Sequence, residues 1–189
     1  MTMSISEAQG DMRTGYLSGG AGIMASALAW TVAAGVTILG SAQNAVLTLL
    51  IGGMLIHPVS VLVCRLRGAR GAHTKGNPMG GLAAASTFWL IFCLPLAYAL
   101  GLQQPGWFFA AMLLIIGGRY LVFATLYGMR LYWMLGLSLA VAGFAMGYLA
   151  ASVQIVAASG AVLEAVFAII FLMLHRDWVR GNMPVKPEP

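Results

Sequence analysis

Six long apolar runs constrain this chain more than any other feature. They are Gly20–Leu39, Asn44–Cys64, Gly80–Leu102, Trp107–Gly128, Tyr132–Ser152 and Ala157–His175. Each is near the ~20 residues that carry an α-helix across ~30 Å of hydrocarbon. Composition agrees: 60% of residues are hydrophobic, 8% are charged, and mean hydropathy is +0.89. A soluble domain devotes about 25% of its residues to charge, and this chain has no such surface to offer water. Within lipid every backbone N–H and C=O must be paired inside its own segment, which favours helices. The expectation is an all-α integral membrane protein of six transmembrane helices.

The same reading divides the chain into three parts. Residues 1–19 form an amphipathic N-terminal segment, residues 20–175 the six-helix transmembrane domain, and residues 176–189 a disordered C-terminal tail. Ser4-Ile5-Ser6-Glu7 fits a capping box, and Ile5, Ala8, Met12 and Tyr16 recur at helical spacing behind it. Residues 5–16 therefore read as a short helix lying in the membrane interface, broken from the first span at Gly19-Gly20. Glu7 and Asp11 outnumber Arg13 ahead of the first apolar run, which argues against a signal peptide.

Charge sets the orientation. Arg65, Arg67, Arg70 and Lys75 follow span two, Arg130 follows span four, and Arg176, Arg180 and Lys186 follow span six. The opposite connections, Gly40–Gln43, Gln103–Gly106 and Val153–Val156, carry no charge. By the positive-inside rule both termini are cytoplasmic. The short outer loops predict three antiparallel hairpins. The weakest connection is the nearly apolar stretch from Ser152 to Ala158, where one long bent helix is the alternative. A faint internal echo relates Trp30 to Trp89, and Leu50-Ile51-Gly52-Gly53 to Ile115-Ile116-Gly117-Gly118. For the glycine pairs close helix packing is the expected role.

Three ionisable residues, His57, Arg119 and Glu164, lie inside spans. A lone charge at mid-bilayer costs about 2.5–3.5 kcal/mol, so each should face protein or water. Counted at ~1.5 Å per residue, all three fall within about 5 Å of the midplane, and one shared layer is expected. Tyr120 and Tyr127 share the Arg119 face, and Glu164 shares a face with Ala157, Gly160, Ala161 and Ala168. Pro58 and Pro95 each free a carbonyl at membrane depth. Trp30 and Trp89 would join the layer, with an indole ring covering Arg119. The competing structural reading pairs Arg119 with Glu164 and leaves His57 a neutral core residue.

Other chemistry has no motif to stand on. Cys64 and Cys93 lie in apolar segments without metal-ligand spacing, and neither a cofactor nor a metal is expected. No H-E-x-x-H, paired intramembrane carboxylate or phosphate-binding glycine loop is present, so no catalytic residue is assigned. The net charge of +5 sits at membrane edges and does not suggest nucleic acid. The partners it suggests are the bilayer itself and anionic lipid head groups near Arg65, Arg67, Arg70 and Lys75.

Several segments together carry a resemblance. They are Ser6-Glu7-Ala8, Asp11-Met12-Arg13 with Tyr16, Gly52-Gly53-Met54, Gly76-Asn77-Pro78, and the run from Trp107 to Trp133, within which lies GGRYLVFATLYGMRLYW. The chain resembles a family of small bacterial inner-membrane proteins known only as a domain of unknown function. The resemblance implies a bacterial source and a multi-span fold, and it carries over no activity. The functional expectation is a small transporter or permeation protein using the His57, Arg119 and Glu164 layer. So short a transporter implies a homodimer or a pathway built from repeats. The alternative is a membrane-embedded ligand-binding, sensor or scaffold protein. An enzyme acting on a lipid is the weakest reading.

Overall fold

The computed structural model describes residues 3–182, and among them the chain is helical with no strand. A short helix α1 (Ile5–Tyr16) and a tight turn (Leu17–Gly19) precede six longer helices. These are α2 (Gly20–Leu39), α3 (Ala42–Leu66), α4 (Met79–Gln103), α5 (Pro105–Tyr127), α6 (Leu131–Tyr148) and α7 (Val153–Asn182). All six are long and apolar enough to cross a membrane.

Local chemistry explains most boundaries. Ser4 caps α1: its Oγ accepts from the Glu7 amide, and Glu7 accepts in return from the Ser4 amide at 2.8 Å. Ser41 caps α3 by accepting from the Asn44 amide at 3.2 Å, so that helix starts two residues earlier than expected. Pro105 opens α5, where its missing N–H costs nothing. Gly128, in the left-handed region at φ 61°, closes it. Pro58 and Pro95 lie inside α3 and α4, which continue through them.

The last two spans are separate helices. Ala150 takes a positive φ of 47°, and the Ala151 amide returns to the Met146 carbonyl at 2.9 Å, which ends α6. The expected loop Val153–Val156 is instead the first turn of α7. At its far end α7 runs on through Asn182, so residues 176–182 of the expected disordered tail are helical. Within this extension the Trp178 ring meets α1, with the Arg13 guanidinium 5.9 Å from its centroid. The rest of that tail, including Lys186, lies outside the described residues.

Two helix pairs make the tightest seams, α5 with α6 and α2 with α7; α3 packs on α2, and α4 on α5. Small residues set the distances. A Cβ on Gly117 would stand 2.6 Å from the Gly136 carbonyl oxygen, and one on Gly143 would stand 2.6 Å from that of Ala110. One glycine of each echoed pair packs closely: Gly117, and Gly52 against Ala29. Gly53 and Gly118 face open space. The core runs through Trp30, Phe108, Phe109, Leu113, Tyr132, Leu135, Leu139 and Phe171.

Candidate functional site

The site begins with α7. Gly160 leaves room for the Trp30 ring of α2, since a Cβ there would come within 2.6 Å of it. One turn further on, Glu164 is 0% exposed. Its Oε1 accepts from the Tyr120 hydroxyl of α5 at 3.2 Å, and Ser26 of α2 lies beside it. Its Oε2 has no hydrogen-bond partner, and neither does Trp30 Nε1. Two orphaned polar atoms therefore sit in the middle of the apolar core, where each costs about 1–3 kcal/mol.

Arg119 lies elsewhere. Its Nη2 donates to Thr87 Oγ1 of α4 at 2.9 Å, its guanidinium stands 5.1 Å from the Phe123 ring centroid, and its Nε is buried without a partner. Among the described residues the ion pairs are Arg70–Asp11 and Arg180–Asp177, so the Arg119–Glu164 pair of the competing structural reading is not made. The reason is angular. Adjacent residues project ~100° apart on a helix, so Tyr120 reaching α7 turns Arg119 toward α4. Phe123, not a tryptophan, covers the cation.

His57 and Trp89 do not join this layer. His57 is exposed on α3, whose buried residues are Ala45, Val46 and Leu49 at one end and Ser60 and Cys64 at the other. Between them Gly52 packs on Ala29 of α2, and His57 lies off that face. Trp89 is 62% exposed: it lies two residues from Thr87, so with Thr87 against Arg119 it points outward. Trp30 alone of the two is buried, at 0%. The structure thus gathers Trp30, Tyr120 and Glu164, and leaves Arg119 one face away.

Tyr127 belongs to an aromatic stack that sequence reasoning did not anticipate. Tyr132 of α6 lies between Tyr120 (centroids 6.0 Å apart, planes 25°) and Tyr127 (5.4 Å, 18°), with Phe171 of α7 at 4.4 Å. The Tyr132 hydroxyl donates to the Ser18 carbonyl at 2.9 Å.

A second polar centre, also missed, lies at the basic end of the bundle. Asp11 of α1 accepts from Arg70 at 2.5 Å, from the Thr74 amide and hydroxyl at 2.8 and 2.7 Å, and from Asn77 at 2.8 Å. Partial burial pushes the carboxyl up, but the bonds from Arg70, Asn77 and Thr74 overcome it and hold Asp11 well below the usual carboxylate range. Beside it Arg13 donates to the Tyr127 and Gly128 carbonyls, satisfying the C-terminus of α5. Gln9 donates to the Thr125 carbonyl at 2.7 Å. Ala8, Met12 and Gly15 form the buried face of α1. The one sequence signal for this docking was the helical spacing of Ala8 and Met12. Asp11 and Asn77 stood in segments that carry the family resemblance, but nothing in the sequence paired Asp11 with Arg70, Thr74 or Asn77.

This is an all-helical multi-pass membrane fold with a buried, half-bonded carboxyl at its centre and a polar clasp at one end. The chain belongs to the family of unknown function DUF7010, whose model matches residues 5–174. No curated protein and no solved structure matches it.

Proposed function

We propose that the chain is a small proton-linked transporter of the bacterial inner membrane, with Glu164 as its proton-exchanging group. The observation that supports this is the carboxyl itself: wholly buried, bonded by Tyr120 with Ser26 beside it, and, among the described residues, without a cation within ion-pair distance. Such a group is costly to the fold, and intramembrane carboxylates commonly serve as proton relays. Arg119, free of any carboxylate and held by Thr87, supplies attraction for an anionic substrate group between α4 and α5. His57, exposed on α3, serves at an interface with a second copy of the chain, so the working unit is a homodimer.

In this reading consecutive spans pair as hairpins, α1 rests at head-group level, and both termini face the cytoplasm. Arg65, Arg67 and Lys75, all exposed, meet anionic lipid there, while Arg70 is engaged by Asp11.

The test is reconstitution in liposomes, following internal pH while small carboxylates and inorganic phosphate are offered in turn. Proton movement that stops in Glu164→Gln, and anion dependence that falls in Arg119→Gln, are the expected results. Wild-type fluxes equal to those of empty liposomes under every condition would overturn the reading. The well-bonded clasp around Asp11 favours a second reading, a membrane-embedded sensor or scaffold. That reading predicts no flux and a partner lost on deletion of α1.

A further inference from the structure

We propose that α1 is a hinged cap on the basic end of the bundle, and that Glu164 controls whether it is shut. The cap touches α2, α3, α4 and α5, and its Arg13 lies over Trp178 of α7. It therefore bridges helices that barely meet each other there, since α3 and α4 make few mutual contacts.

Its pivot is unusual. Leu17 and Ser18 both have a φ of 53° and Gly19 has one of 82°, three consecutive left-handed residues of which two carry side chains. L-residues rarely adopt this conformation, and it persists only where surrounding contacts impose it. Those contacts are the Tyr132 hydroxyl on the Ser18 carbonyl at 2.9 Å, Ser18 Oγ with His175 Nδ1 at 2.9 Å, and Tyr16 Oη with His73 Nδ1 at 3.1 Å. The Gly71 amide also donates to the Gly15 carbonyl at 2.9 Å. Gly19 is required twice over, by its φ and because a Cβ would collide with the Tyr132 hydroxyl.

Tyr132 links this pivot to the core. Its ring stacks on Tyr120, whose hydroxyl donates to Glu164. A change of charge on Glu164 alters the Tyr120 bond, moves the stacked Tyr132 ring, and loosens its hold on Ser18. Arg13 reinforces the same route, because it donates to the carbonyl of Tyr127, the other ring stacked on Tyr132. The control by Glu164 rests on the proton-exchange reading. The cap itself does not, and its readout is accessibility, not flux.

Cys64 is a native reporter: it is 0% exposed and packs with Leu17 and Ala21 beneath the pivot. In a Cys93→Ala background, purified protein in detergent is treated with a water-soluble maleimide and alkylation of Cys64 is timed. Tyr132→Phe, which deletes one hydroxyl and keeps the ring, should speed alkylation about tenfold, the population shift that one lost hydrogen bond supports. Glu164→Gln should change the rate severalfold. Equal rates in Tyr132→Phe and the parent overturn the cap. A rate that responds to Tyr132→Phe and ignores Glu164→Gln overturns the control by Glu164. Should Tyr132→Phe lose its helical circular dichroism, Asp11→Asn decides the matter, because it releases α1 without touching a span; an unchanged rate there also overturns the cap.

Discussion

Asp11 and Glu164 are both largely shielded carboxyls, yet their surroundings are opposite. Asp11 receives four hydrogen bonds and an ion pair from Arg70, Thr74 and Asn77 at the edge of the membrane domain. Glu164, at the centre of the fold, is bonded by Tyr120 with only Ser26 beside it, and one of its oxygens has no partner. A carboxylate satisfied on every side contributes stability. A carboxyl left half-satisfied in an apolar core costs stability, and its retention needs another reason. The clasp therefore holds the fold together, and the core carboxyl is the group on which the proposed proton exchange rests.

The largest effect that can break this comparison is on stability. Asp11→Ala should destabilise the protein by about 2–3 kcal/mol, since it removes four hydrogen bonds, one of them charge-assisted from Arg70, that tie α1 to the loop after α3. Thermal melting in detergent would reveal it, and an unchanged midpoint would remove the clasp from the account. The pH dependence follows from the same contacts. Asp11 is held below the 3.8 of an ordinary aspartate, so its contribution is complete above that value and is lost as pH falls below it. The wild type should lose stability through that acid window more steeply than Asp11→Asn.

A smaller loss is expected where α2 meets α7. Gly160→Ala places a methyl 2.6 Å from the Trp30 ring, and overpacking of this kind costs about 2 kcal/mol. Melting that matches wild type would mean the seam beside Glu164 is looser than described. Tyr120→Phe should cost least, about 1 kcal/mol, because it removes one bond to an already under-bonded carboxyl. If Tyr120→Phe proves as damaging as Asp11→Ala, the core carboxyl is structural after all.

The sequence carried one half of this comparison and hid the other. An acid inside an apolar run announces itself one residue at a time, so Glu164 was legible, as were the six spans. Asp11 was not, because its partners lie 59, 63 and 66 residues away and nothing local marks them. Direction was the other limit. Helical spacing placed His57, Arg119 and Glu164 at one depth, but depth does not say which neighbour each residue faces. The exposed middle of α3 and the seating of Arg119 on Thr87 emerge only when the helices pack. The left-handed pivot left no signal beyond Gly19-Gly20, since Leu17 and Ser18 are there imposed by their surroundings.

The most direct measurement pairs melting temperature with proton flux per molecule in liposomes for Asp11→Asn and Glu164→Gln. The account predicts a lower melting temperature with flux at or above wild type for Asp11→Asn. For Glu164→Gln it predicts an undiminished melting temperature and no flux. A Glu164→Gln protein that melts early and still moves protons would contradict it.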